Sequence, residues 1–440
     1  MISGLRKIDA ETLRRARVLM QRYGPTAPVW RRRIATGAGA VSVGLMALAF
    51  AWLADRSSEL FLGLTRDRWW LPLVVTPLGF GAIVWIARRY APETSGSGIP
   101  QVIAATHDPI RASKMLVSMR AAFVKFTLTL AALLVGASVG REGPTVQISA
   151  AIMVWYHRVF RVPLRSSIII AGGAAGVAAA FNTPLAGITF AIEELADAYE
   201  QRVALLVMTA IVIAGMVSLG LTGDYVYFGT VGGTLKFGTV LRIAPVAGVL
   251  GGLTGGLFAR AMLALSLRRA TLFPALVRRP VVWALLCGMI VAVVGVATGS
   301  TWGTGYSAAR SIIDGTNAPF WFGPSKLLTT LSTAVAGLPG GIFAPSLSTG
   351  AGFGNILRLM FPDDPASAVV LLGMVAYFTG VVRAPITAVI IIVEATASRG
   401  LIFPLLVAAL VAHAVSSLVC PERLYHGLAR PWRTALKSGL

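Results

Sequence analysis

Three glycine–proline punctuations interrupt an otherwise apolar chain, and each has a form suited to receive a negative charge. Gly96-Ser97-Gly98-Ile99-Pro100, Gly140-Arg141-Glu142-Gly143-Pro144 and Gly341-Ile342-Phe343-Ala344-Pro345 all set glycines before a proline that opens an apolar stretch. Proline suits the first turn of a helix, where its missing N–H costs nothing. Such a start leaves several backbone N–H groups unpaired and carries about half a positive charge. Glycine lets a ligand approach that backbone, so three such ends turned inward would bind an anion without a formal cation. Taken singly, each motif reads more readily as a plain helix boundary; the offset shared by the second and third favours the anion reading.

The acids are fewer and sharper. Glu142 is a carboxylate inside one of these helix starts, on a chain nearly free of acids across its apolar regions. A charge at membrane depth costs several kcal/mol and needs a partner or a pathway. Glu142 can occupy the place an anion would take; anion arrival displaces it and protonation releases it. The plainer alternative is a salt bridge to Arg141 or an ordinary N-terminal acid, although neighbours on a helix point apart. Glu193 and Glu194 close an apolar run, where they mark a solvated boundary or pass protons between water and the membrane interior. A helix C-terminus disfavours negative charge, so this pair requires local compensation. Tyr425, just past the last apolar run, reads alone as an interfacial aromatic that can also offer its O–H to a ligand.

The elements that position these groups belong in a membrane. Of 440 residues, 56% are hydrophobic, 47 are glycine, and only 13% are charged, against about 25% in soluble domains. Apolar runs fall at 34–54, 71–88, 115–139, 166–195, 203–222, 241–267, 280–298, 325–349, 366–394 and 402–419. A simple span needs about 20 apolar residues, and several runs are longer, or are cut by Gly and Pro. Tilted, broken helices are therefore expected, with non-helical backbone surviving only inside protein or a wet cavity. The first 33 residues hold nine of the 39 basic groups, and Arg423, Arg430, Arg433 and Lys437 follow the last run. The positive-inside rule then makes both ends cytoplasmic and the crossing count even. The basic start is too long for a signal peptide; residues 8–23 are expected as a surface helix or a disordered tail.

An internal repeat organises the rest. Gly140–Pro144 and Gly341–Pro345 align at an offset of 201, and the same offset lays Pro184…Glu193 on Pro385…Glu394 and Gly172 on Gly373. Three anchors at one offset indicate duplication, and duplicated transporters place their site where broken helices of the halves meet. The predicted organisation is a basic segment at 1–33, a first membrane repeat at 34–222, a connection at 223–240, a second repeat at 241–420 and a cytoplasmic tail at 421–440 carrying Tyr425. The fold class is an all-α integral membrane protein.

Other chemistry finds no support. A net charge of +21 would suggest nucleic-acid binding on a soluble protein, but here the basic groups sit at the ends and between runs. Cys287 and Cys420 lie in or beside apolar segments and show no disulfide framework or metal spacing. Gly136-Ala137-Ser138-Val139-Gly140 spells a nucleophile elbow, yet it is expected inside an apolar helix with no strand before it. The four histidines, His107, His157, His413 and His426, lack ligand spacing; His413, inside the last apolar run, is expected to pack or to hydrogen-bond. Gly251-x-x-x-Gly255 is a helix-packing pattern. An intramembrane lipid-acting enzyme would need a nucleophile–base pair or a metal, and neither is visible; no cofactor is implied.

With these residues assembled, the chain resembles the CLC chloride channel and transporter family over about residues 34–430. GSGIP, GREGP, GIFAP and Tyr425 match its signatures in order and spacing. The resemblance, to the prokaryotic type without CBS domains, implies a homodimer in a bacterial inner membrane, each subunit holding its own pore between two inverted repeats. It implies that the Ser97 hydroxyl and Tyr425 hold a chloride ion, with Gly98, Ile99 and the N–H groups of Ile342 and Phe343 around it. Arg141 and Gly143 would line an outer site gated by Glu142, and Glu194 would be the internal proton-transfer acid, so that chloride/proton exchange is expected, with a passive chloride channel as the alternative. Ser97 separates this chain from relatives with proline or methionine there, and Lys125 matches a lysine lying under the pore. Gln101 and Ile103 stand where some exchangers carry acids, which removes a polar neighbourhood that would support Glu194. About ten residues follow Arg430, too few for CBS domains, so nucleotide regulation through them is not expected.

Overall fold

A computed structural model describes residues 27–196, 201–223, 226–232, 235–316 and 318–438; the surface helix or tail expected at 8–23 lies outside them. The first half contains α1 (Ala27–Thr65), α2 (Leu71–Tyr90), α3 (Ile99–His107), α4 (Met119–Leu134), α5 (Glu142–Val159), α6 (Ser166–Phe181), α7 (Pro184–Phe190) and α8 (Gln201–Thr222). The second contains α9 (Phe237–Leu267), α10 (Pro280–Thr298), α11 (Tyr306–Ile313), α12 (Phe322–Ala336), α13 (Phe343–Met360), α14 (Ala366–Val382), α15 (Pro385–Thr396) and α16 (Ile402–Val419), and α17 (Leu424–Ser438) closes the chain. Six of these, α1, α2, α8, α9, α10 and α16, are long and apolar enough to cross a membrane. Their outward faces carry Trp52, Trp85, Leu205, Met216 and Leu257 exposed, a surface that lipid rather than water can cover.

The runs at 166–195 and 366–394 each break into two helices, in keeping with their length. Helix α6, with 16 residues, reaches about 24 Å, short of a hydrocarbon core of about 30 Å. It ends because Asn182 turns left-handed (φ 56°) before Pro184, and α14 ends the same way at Arg383 (φ 61°) before Pro385. Both helices are apolar all round and nearly completely buried, so protein, not lipid, surrounds their broken ends.

The 201-residue repeat is a structural one, and its halves are inverted. Equivalent elements meet each other antiparallel: Pro77 and Gly81 of α2 pack against Gly288 and Leu285 of α10, and Gly140 and Gly341 exchange backbone hydrogen bonds of 2.7 Å in an antiparallel bridge. Helices α7 and α15 cap each other. Glu394, ending α15, accepts from the N–H groups of Leu185 (3.2 Å) and Ala186 (2.9 Å). Glu193, in the π-type turn after α7, accepts from Ile386 (3.1 Å) and Thr387 (2.7 Å). Each carboxylate at a C-terminal end is thus compensated by the positive start of the twin helix. Antiparallel contact between equivalents at these crossings requires a two-fold axis across the helices, which is inversion in a membrane.

The same symmetry governs two buried lysines. Lys125 on α4 donates to the carbonyls of Thr94 (2.8 Å) and Gly96 (2.5 Å), and Lys326 on α12 to those of Thr301 (2.9 Å) and Gly303 (2.8 Å). Thr94-Ser95-Gly96-Ser97-Gly98 and Thr301-Trp302-Gly303-Thr304-Gly305 are therefore twin loops, each opening a short helix with glycines at positive φ. Gly251 and Gly255 do serve packing: α9 meets the backbone of α14 at Ala376–Tyr377 and Tyr377–Gly380, where a Cβ would collide. Glu394→Ala removes the cap of α7 and should lower stability by about 1–2 kcal/mol. Thermal unfolding in detergent checks this; an unchanged midpoint would mean the freed N–H groups find other partners.

Candidate functional site

The three glycine–proline starts converge on one spot. The start of α3 abuts that of α5, since a Cβ on Gly98 would lie 2.8 Å from the Gly143 carbonyl. Gly143 in turn stands against Gly341 at the start of α13, where a Cβ would approach the Gly341 Cα at 3.1 Å. Backbone bonds knit the loops: Gly96 donates to Leu338 O (3.2 Å), Gly340 donates to Gly96 O (3.2 Å), and the Ser95 hydroxyl donates to Gly337 O (2.9 Å). Lys125 holds the Ser97 loop from beneath. Three helix starts thus face inward at close quarters, as an anion site requires.

The side chains around them are buried and short of partners. Ser97 is buried, Tyr425 is completely so, and neither hydroxyl closes a hydrogen bond, although the two interact electrostatically. Tyr425 is therefore not the interfacial aromatic that its position beyond the last apolar run suggests; α17 turns back inward and carries it against the ring of Phe343, 5.9 Å away. Phe343 lies 4.9 Å from Phe378 and 5.8 Å from Phe190, forming an apolar wall beside the hydroxyls. Gly98, Ile99, Arg141, Gly143, Ile342 and Phe343 all stand at the three starts, with Gly98 and Ile342 as the residues just before α3 and α13.

Glu142 is fully buried. Its carboxylate folds back over Gly140 and faces the N–H groups of Glu142 itself and of Ala344, at the starts of α5 and α13. Neither oxygen closes a hydrogen bond. The alternative pairing with Arg141 is not taken up: that guanidinium donates to Ala51 O (2.7 Å) and pairs with Asp55 (3.0 Å). Arg141, the residue before Glu142, lies on the wall of a cavity of about 320 Å³, shared with Asp55, Tyr227, Trp302, Thr304 and Tyr306.

Glu194, unlike Glu193, is not used as a helix cap. Its side chain is buried, and Arg423 pairs with Oε2 at 2.9 Å while His426 Nδ1 stands 3.3 Å from Oε1. The Gln101 amide donates to Glu93 O (3.1 Å) and Ser95 O (2.6 Å), and Ile103 is buried in the apolar core. The polar neighbourhood of Glu194 comes from α17 and the turn before it instead. Of the histidines, His426 is the one in contact with Glu194, while His413 interacts with Glu193; His426 carries no spacing signal, and only the fold brings it there. Gly136–Gly140 is not helical as expected but forms the loop between α4 and α5, turned by Gly136 (φ 79°), with Ser138 hydrogen-bonded to Thr330 (2.9 Å).

An inverted pair of helical repeats with buried, inward-facing helix starts is an architecture suited to a membrane channel or transporter. The profile described as "Voltage gated chloride channel" matches residues 78–417, and the chain belongs to that family. Its structure is similar to that of a slow cyanobacterial Cl⁻/H⁺ antiporter (TM-score 0.81, 24% identity, 92% of this chain and 98% of the other). It is also similar to a eukaryotic CLC transporter (0.75, 20%, 92% and 74%) and to a CLC-type fluoride/proton antiporter (0.72, 21%, 88% and 96%). Gly143→Ala puts a methyl group onto the Ser97 hydroxyl and carbonyl. It should cut chloride flux from loaded liposomes at least about tenfold, a barrier of about 1.4 kcal/mol. Flux within twofold of the parent would mean that ions do not pass between these loops.

Proposed function

We propose that the protein exchanges chloride for protons across the plasma membrane of a bacterium, as a homodimer with both chain ends in the cytoplasm. The observation that carries this reading is Glu142: a carboxylate wholly buried between two helix starts, with neither oxygen hydrogen-bonded. A permanent structural acid at such a place would be paired, because an unpaired buried charge costs several kcal/mol. A mobile one is held by the positive helix ends and gives way to an anion or a proton.

In this reading chloride sits between the Ser97 and Tyr425 hydroxyls and the N–H groups of Ile342 and Phe343, with Gly98 and Ile99 beside it. Arg141 and Gly143 line the outer approach, and the cavity beside Arg141 is the entrance. Chloride entering from outside displaces the Glu142 carboxylate; protonation on the outer side neutralises that carboxylate and frees it from the helix ends. Glu194 passes protons between the cytoplasm and the interior, and Arg423 beside it keeps it in place. Two of the similar solved structures are of antiporters that couple a halide to protons, which favours exchange over a passive channel.

Purified protein in liposomes under a chloride gradient, with a pH electrode outside, tests this. Chloride running downhill should drive protons the opposite way against their own gradient. Glu194→Gln should stop proton movement, and Glu142→Gln should abolish it while chloride still passes. Chloride flux without proton movement in the parent protein would make it a channel, and normal proton coupling in Glu142→Gln would remove the gate assignment.

A further inference from the structure

Glu194 has no exposed side-chain surface, so a proton cannot reach it from bulk water without a carrier. Arg423 occupies Oε2, and a guanidinium does not release protons at any physiological pH. Oε1 faces the Nδ1 atom of His426 at 3.3 Å, and both atoms are shut off from solvent, neither closing a hydrogen bond. The imidazole itself is half-open, its side chain 29% exposed, and its Nε2 edge meets water. One ring therefore touches the buried acid with one nitrogen and solvent with the other.

The surroundings leave few rivals. Arg383, at the end of α14, adds a second positive charge acting on Glu194. Glu422 is held by Arg430 at 2.9 Å, and Glu193 by the start of α15. Arg260 of α9 acts on Cys420, not on Glu194. Tyr425 interacts with Glu194, but its hydroxyl is sealed from solvent on the pore side. Helix α3, packed on α17, offers neutral Gln101 and Ile103 there. Two imidazoles lie among these charges: His413 on α16 interacts with Arg383, Arg423 and Glu193, whereas His426 is the one with a ring nitrogen against Glu194.

The geometry points to His426 as the proton relay between the aqueous phase and Glu194, a role that rests on the exchange reading above. A hydronium ion gives a proton to Nε2; the imidazolium releases its Nδ1 proton to Glu194 Oε1, leaving a neutral carboxylic acid and a neutral Nε2–H imidazole. Rotation of the half-open ring exposes Nδ1 to water, where the tautomers re-equilibrate. Every step runs in reverse for outward movement, and one proton enters for each proton delivered. Arg423, at 2.9 Å from Oε2, holds the carboxylate in place with Oε1 toward the imidazole.

His426→Asn keeps a polar group near Oε1 but cannot relay. In the liposome assay it should slow proton flux at least about tenfold at pH 7, within the usual worth of a positioned acid–base group. The loss should be largest at neutral and alkaline pH, where free hydronium is scarcest, whereas a purely structural role would lower flux equally at all pH values. A Glu142→Gln/His426→Asn double variant should pass chloride as readily as Glu142→Gln alone, which reports an intact pore. Proton flux within twofold of the parent overturns the relay, as does a double variant that loses chloride passage too. A parent protein that moves no protons at all removes instead the exchange reading.

Discussion

The whole molecule turns on burying three helix starts against one another with one carboxylate over their N–H groups. A buried backbone donor normally finds a partner, and one left open costs free energy comparable to a lost hydrogen bond. Three such starts, those of α3, α5 and α13, meet in the interior, and the glycines that let them approach cannot be replaced without collision. The rest of the structure exists to hold them there. Lys125 grips the Ser97 loop, Gly140 and Gly341 pair with each other, and Phe343 walls one side with apolar rings.

The inverted duplication is what makes this tolerable in a membrane. A helix that starts at mid-depth must be short, and a short apolar helix leaves an end that lipid cannot solvate. Two copies related by a two-fold axis solve this mutually, because the end of one broken helix covers the start of its twin. Glu193 and Glu394 do this literally, each carboxylate closing the N-terminus of the opposite half. The fully buried helices α6 and α14 form the protein lining against which these ends rest.

Much of this is legible in the chain, and the limits are physical. The glycine–proline starts, the broken runs and the repeat all follow from local sequence, since proline and left-handed breaks act within a few residues. Glu193 opposite Glu394 is visible as an alignment, but not as a pair of caps, because alignment carries no direction of contact. The Gly303-Thr304-Gly305 loop is hidden as a twin of Gly96-Ser97-Gly98, since the second half has six fewer residues between that loop and its lysine, which shifts the offset from 201 to 207. Position along the chain assigns neither Tyr425 nor His426, which follow the last apolar run: Tyr425 is legible only through the family resemblance, and the inward turn of α17 brings both to the interior. The Gly136–Gly140 loop reads as helix because apolarity alone does not separate a buried loop from a buried helix.

Symmetry also sorts scaffold from chemistry. Lys125 has Lys326, Glu193 has Glu394, Gly140 has Gly341 and Pro184 has Pro385 as partners at the repeat offset. All of these residues bond to backbone or shape it, which both halves need equally. Glu142, by contrast, aligns with Phe343, and Glu194 with Ala395. Neither of these buried acids has the twin carboxylate that Glu193 and Glu394 have in each other. A twin of Glu142 at the start of α13 would set two carboxylates against the same N–H groups, and like charges there cannot both ionise. Phe343 instead makes that side apolar, so a single carboxylate faces these N–H groups. A twin of Glu194 would lie beside Glu394 at the opposite end of the two-fold, far from Arg423 and His426, where nothing would hold it charged. One half thus carries the two buried acids without twins while both halves carry the frame, so a two-fold scaffold can treat its two faces differently.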